Sequence, residues 1–319
     1  MTDDLTWTAT AGTTADPPPG PPPEQPPGPP PEQPAGPPPE PDPAPSLGEH
    51  SGELPSHDPT RGRVRMSLWH LATLAQALAG GVEHGLHPVA EELAAAGMLD
   101  RGLGRQPEVS GELSDLVAAF ARPDVMVSVE TAGQGIVLHH GIAVRGARAW
   151  RMESWPDTDL AEYTPIDPGL LLPTVVGMVS LRGADGDPSK PGWQRQTLHL
   201  PLEVAEPALS LVATAAAADA PLVRRTVVET LRQLVPDPVE RSAFAGLVTS
   251  LRSTWRVSAA VAERRASVAV VDGGLSGLWR RDLPADGGDA RGHPQGSTLL
   301  RLVPVTPADV WRDLATLLP

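Results

Sequence analysis

The chain has 319 residues, no cysteine and a formal net charge of −14. The missing thiols exclude disulfides, cysteine nucleophiles and thiolate metal sites. The charge is uneven: the first 60 residues carry ten acids and no Lys or Arg, and the other 259 hold 25 basic and 29 acidic side chains. Nucleic-acid binding needs a basic surface, so that class of partner is not expected.

The N-terminal 60 residues hold 20 of the 39 prolines. Gly-Pro-Pro-Pro-Glu recurs from Gly20, Gly28 and Gly36, a period of eight rather than the collagen period of three. This composition predicts a solvated, polyproline-II-type leader over 1–60. Its acidic start, Met1-Thr2-Asp3-Asp4, lacks the apolar core of a secretory signal, and no apolar run approaches ~18 residues, so a cytoplasmic chain without a membrane span is expected.

The folded body is predicted over 61–319. Leu68, Leu71, Leu74, Ala75 and Leu78 mark a first helix that stops at Gly80-Gly81. His87-Pro88 opens a second, with Val89 and Leu93 on one face. Ser110 is placed to cap a third, with Leu113, Leu116, Val117 and Phe120 inward. Arg122-Pro123-Asp124 ends it. Strand-like runs follow at 125–129, 136–144, from Gly146 through Trp150 and Met152, and at 160–166, and their short connections predict an antiparallel meander. A helix over 168–181 closes this stretch. A polar connection, 183–192, leads to a short strand at 198–202 and helices over 203–217 and 221–235. Then come a helix over 238–251, strands at 254–262, 266–271 and 275–282 with a tight turn at Asp272-Gly273-Gly274, a loose loop at 286–296, a strand at 298–304 and a helix over 307–318.

The second series echoes the first. Phe244, Leu247, Val248 and Leu251 repeat the spacing of Leu113, Leu116, Val117 and Phe120 after roughly 130 residues, and Pro304-Val305-Thr306-Pro307 stands where Pro165-Ile166-Asp167-Pro168 stood. The closing helices carry matching apolar offsets: Leu171, Leu172, Val175, Met178 and Val179 against Val310, Trp311, Leu314, Leu317 and Leu318. The order predicts an α+β fold built from a quasi-twofold duplicated helix–antiparallel-sheet–helix unit, with pseudo-repeats at about 110–181 and 238–319 and flanking helical bundles.

Catalytic patterns are missing. No Gly-x-Ser-x-Gly elbow, phosphate-binding glycine loop or His-x-x-x-His pair occurs. His139 and His140 are adjacent on a strand and so point to opposite faces. Asp282, Asp286, Asp289 and His293 gather in one loop without a calcium-loop spacing. No cofactor, metal or catalytic residue is therefore expected. The aromatics offer a different candidate. Trp150, Trp255 and Trp279 fall on strands beside Arg151, Arg256 and Arg280, and Met152 shares a face with Trp150. Trp and Arg are enriched at interface centres, so Trp150, Met152, Trp255, Arg256, Trp279 and Arg280 are the candidate partner-binding residues. The competing account is that Trp fills a core in a chain with two Phe and one Tyr.

Over roughly 64–319 the chain resembles the EspG family of type VII (ESX) secretion-associated proteins of actinobacteria. The resemblance lies in the helix at Glu92-Leu93-Ala94-Ala95-Ala96-Gly97-Met98-Leu99, the helix ending Ala121-Arg122-Pro123 with its meander, the hairpin from Val270 to Trp279, and the final strand from Gly296 to Pro307 running into an amphipathic helix. The family's Gly-Arg after the hairpin turn reads Gly277-Leu278-Trp279-Arg280 here, and its C-terminal Pro-Gly-Thr reads Pro304-Val305-Thr306-Pro307. The resemblance implies an EspG-like fold and a non-enzymatic cytosolic chaperone. The partner it implies is a secreted helical protein of PE–PPE type, held by its helical tip. The alternatives from the residues are a scaffold or regulator acting through the proline-rich leader, or an enzyme using the acidic loop at 282–293.

Overall fold

The computed structural model describes residues 54–79, 87–100, 108–181, 196–282 and 299–319, all within the compact unit Glu49–Pro319. In chain order the elements are β1 (Ser56–Asp58), β2 (Arg63–Ser67), α1 (Leu68–Leu78), α2 (His87–Ala95), β3 (Leu99–Asp100), β4 (Glu108–Val109), α3 (Gly111–Ala121), β5 (Val125–Gly133), β6 (Ile136–Arg145), β7 (Arg148–Ser154), β8 (Leu160–Ile166) and α4 (Leu171–Met178). They continue with β9 (Leu198–Pro201), α5 (Leu202–Thr214), α6 (Ala220–Leu234), α7 (Pro238–Ser250), β10 (Ser253–Val261), β11 (Arg264–Asp272), β12 (Leu278–Asp282), β13 (Leu299–Val305) and α8 (Pro307–Leu317).

Among these residues eleven strands form one antiparallel sheet in the order β1-β2-β8-β7-β6-β5-β10-β11-β12-β13-β9. The order reads the same from either side of the β5/β10 junction, apart from β1. Each half runs strand, three helices, four-strand meander, helix: β2-α1-α2-α3-β5-β6-β7-β8-α4 and β9-α5-α6-α7-β10-β11-β12-β13-α8. The α+β duplication expected from the sequence is thus present, and its units are longer than the stretches in which the repeat is legible. They reach back to β2 and β9, short strands of four or five residues with little pattern to match.

Three apolar clusters hold the sheet. The first joins Val64, Met66, Ala161, Tyr163, Ala143 and Trp150 of the sheet to α1, α2 and α3. The second joins Leu198, Leu200, Leu300, Leu302, Val271 and Trp279 to α5, α6 and α7. The third places Val127, Val129, Ile142, Trp255, Val257 and Val270 under α4 and α8.

Several expectations are corrected. The sheet starts at Ser56, ahead of the boundary set at residue 60, because Asp58 pairs with Arg63 and Ser56 with Arg65. Helix α1 buries His70, Leu71, Thr73, Leu74 and Ala77 and exposes Leu68 and Leu78. Its register is set by the Ser67 cap, where the hydroxyl accepts from the His70 N–H and the His70 ring accepts from the Ser67 N–H. Ser110 stands at the start of α3, but its side chain makes no capping bond. The connection at Asp272-Gly273-Gly274 continues as a 3-10 turn through Ser276, so β12 starts at Leu278 rather than 275, with Gly274 and Gly277 at positive φ. The connection at 183–192 and the loop at 286–296 lie outside the described residues.

Candidate functional site

Alternation on the two central strands decides what the middle of the sheet presents. On β5, Val125, Val127 and Val129 face α4 and α8. Met126 and Ala132 point the other way, and each packs against a different helical layer, Met126 against α1–α3 and Ala132 against α5–α7. Both three-helix layers therefore lie on the same face of the sheet. Between Met126 and Ala132 stand Ser128 and Glu130, both exposed. Ser128 lies opposite Ser258 and Glu130 opposite Arg256 in the β5/β10 ladder. The result is a trough with a polar floor at the quasi-twofold junction, walled by the two helical layers.

Two recesses open in it. One, about 330 Å³, runs between the floor and α5 and is lined by Glu130, Val137, Glu206, Ser210, Arg256 and Arg281 among others. The second, about 440 Å³, is lined by small and polar strand residues including Met126, Ser128, Ser258, Arg265 and Ser267. The trough is thus unlike at its two ends, although the sheet beneath it is duplicated. In the first recess Arg281 pairs with Glu206, and the Arg281 side chain is only 10% exposed. Burial pushes its guanidinium down, and the Glu130 carboxylate pulls it back up. The hairpin tip between β5 and β6 closes this end: the Gly135 N–H donates to the Ala213 carbonyl at the end of α5 (3.2 Å).

The candidate binding residues separate. Trp150, Trp255 and Trp279 are 8%, 3% and 6% exposed and belong to three different clusters. They share no patch, and their burial is that of core residues in a chain short of Phe and Tyr. Met152 is partly buried against the α1–α3 layer. Arg280 points to the α8 side, where Nε binds Asp282 (2.8 Å) and Nη1 binds Asp313 (3.0 Å), tying β12 to the last helix. These carboxylates hold its guanidinium above the ordinary range. Arg256 alone of the six stands on the trough floor, exposed. Ser128, Glu130, Ser258, Glu206 and Arg281 were not singled out from the sequence. One signal for the floor was present: in Val127-Ser128-Val129-Glu130 and Trp255-Arg256-Val257-Ser258, polar residues take every second place in mid-strand, where a covered face would be apolar.

One hydrogen-bonded series has the form of a catalytic triad. The Ser67 hydroxyl lies 2.7 Å from His70 Nδ1, and His70 Nε2 lies 3.0 Å from Glu92 Oε2. Nδ1 also accepts the Ser67 N–H, which places the ring proton on Nε2, toward Glu92. Ser67 is 1% exposed and its oxygen caps α1, so the hydroxyl is committed to the helix terminus. Among the described residues no group of three His, Asp or Glu stands where it could hold a metal. Of the acidic loop only Asp282 is described, and it is bound to Arg280.

This arrangement is that of a pseudo-dimeric α+β protein with an open trough on one sheet face. The fold is similar to the solved structure of the Mycobacterium tuberculosis type VII secretion system chaperone EspG5 in complex with a PE25–PPE41 dimer, with a TM-score of 0.46 and 14% identity over 81% of this chain and 97% of that one. No protein-family model and no curated protein matches the sequence.

Proposed function

We propose that this chain is a chaperone and adaptor of type VII secretion, which binds a secreted helical protein of PE–PPE type in the cytoplasm and keeps it soluble for export. On this reading it acts by binding, without catalysis. The class of partner follows the family resemblance of the sequence. The observation that carries the reading is the uncovered middle of the sheet between two helical layers. The residues it leaves between the layers are Ser128 and Glu130 of β5 and Arg256 and Ser258 of β10, paired across the junction. Among the described residues no helix is long and apolar enough to cross a membrane.

The test is co-expression with a PE–PPE pair encoded beside a type VII locus of the same genome, followed by light scattering on the eluted complex. A stoichiometric complex is expected, and it should be lost on Arg256→Glu with Ser258→Glu, both floor positions outside the apolar clusters. It should survive deletion of residues 1–53, which spares β1. Binding that withstands the floor changes in a folded variant, or that vanishes with the leader alone, overturns the proposal.

A further inference from the structure

The two ends of the trough differ in what a partner meets. At the α5 end the β5–β6 tip is seated, with the Gly135 N–H on the Ala213 carbonyl. At the other end the β10–β11 hairpin turns at Ala262 and Glu263, with Ala262 at φ +50°, and residues 262–265 are all exposed. Among the described residues no backbone hydrogen bond ties this tip to a helix. The trough is stopped at one end and open at the other.

Charge divides in the same way. The recess beside α5 carries two carboxylates, Glu130 and Glu206, and two guanidinium groups, Arg256 and Arg281, so it is neutral in sum. The recess at the open end has one charged side chain in its lining, Arg265. Ser128, Ser258 and Ser267 stand beside one another there on β5, β10 and β11, and each hydroxyl can donate. Among the described residues no carboxylate lines this recess or forms an ion pair with Arg265, Glu263 of the adjoining turn included. Exposed as it is, Arg265 is satisfied by water. A partner laid over the floor removes that water, and a guanidinium buried without a counter-charge is costly.

We infer that the open-end recess receives a carboxylate of the partner, an Asp or Glu side chain of its helical tip, with the oxygens on Arg265 and the serine hydroxyls. The inference rests on the helical partner proposed above. A helix C-terminus is another source of acceptor oxygens, but its carbonyls carry only about half a charge and leave the rest of the guanidinium charge unmatched. Because the opposite recess is neutral, this contact also fixes which way round the partner lies on a duplicated sheet.

The experiment follows the Arg265 and Arg264 Nε–H signals in ¹H–¹⁵N spectra of the full chain, assigned by their disappearance in Arg265→Gln and Arg264→Gln. Arg264 is the control, also exposed but, one residue along the strand, on the opposite face. Acetate and N-methylacetamide are titrated in turn. Acetate should move Arg265 at about tenfold lower concentration than Arg264, the worth of one hydrogen bond to a charged group, and Ser258→Ala should reduce that difference. Equal movement of the two arginines overturns the recess as a site. An equal response of Arg265 to N-methylacetamide overturns the carboxylate in favour of main-chain carbonyls. In the co-expressed PE–PPE complex, Arg265→Gln should weaken binding by about tenfold or more and flatten its salt dependence, and Arg264→Gln should do neither. A complex indifferent to Arg265→Gln overturns the partner's carboxylate and leaves the proposed function standing. Absence of any complex with the unaltered chain removes the proposed function, while the acetate titration still decides the recess.

Discussion

The hairpin tip at Gly135 makes the sharpest stability prediction. Gly135 has φ +82°, and a Cβ there would lie 2.9 Å from Ala216 Cα and 3.1 Å from the Ala215 carbonyl oxygen. Gly146, at φ +56°, has nothing within 4 Å of the same position. Alanine at either site meets the left-handed cost of about 1–2 kcal/mol, offset by about 0.4–1 kcal/mol from a stiffer unfolded chain. Gly146→Ala should therefore cost no more than about 1.6 kcal/mol. Gly135→Ala must also push the tip away from α5 and lose the bond to Ala213, worth about 1 kcal/mol, for a total of about 1–2.6 kcal/mol. Urea unfolding of both variants isolates the steric part as the difference between them. Equal losses would show that the tip is not seated on α5 and would remove the end wall of the trough.

Four more outcomes follow from named groups. Trp279→Ala removes a side chain 6% exposed whose indole N–H donates to the Ser276 carbonyl (2.9 Å); it should cost about 3–5 kcal/mol by denaturation, whereas Arg256→Ala should stay within about 0.5 kcal/mol. Tyr163→Phe should be neutral or stabilising by up to about 1 kcal/mol, since its hydroxyl is buried without a partner among the described residues, and a clear loss would reveal a missed bond. Ser67→Ala should cost about 1–2 kcal/mol, read by thermal melting, because it removes the α1 cap. His140 is held below its ordinary 6.5, first by burial and then by His139 and Arg151 against the pull of Glu153. The unfolded chain then binds the extra proton first, so stability is full above pH 6.5, falls as pH drops below it, and levels off under the folded value. His140→Gln should flatten that part of a stability-versus-pH curve.

The strands and their faces were legible because side chains alternate with period two. Val125, Val127 and Val129 announce one covered face from sequence alone, and the repeated Pro-x-x-Pro before α4 and α8 announces the duplication. The start of the sheet was not legible, since Ser56–Asp58 is three polar residues whose strand state depends on pairing with β2. The buried face of α1 was not legible either, because apolar spacing allows Leu68 or His70 inward, and the Ser67 cap chooses His70.

The sequence by itself determined an α+β chain of two similar halves behind a proline-rich acidic leader, because local periodicity and composition are properties of neighbours along the chain. Only the tertiary structure decided which Trp and Arg residues are reachable. Trp150, Trp255 and Trp279 look alike on their strands, but whether a strand face meets solvent depends on where helices from elsewhere in the chain come to rest. The same holds for the recess, where Glu206 and Arg281, 75 residues apart, meet across α5 and β12. That juxtaposition exists only once the second helical layer has packed on the sheet.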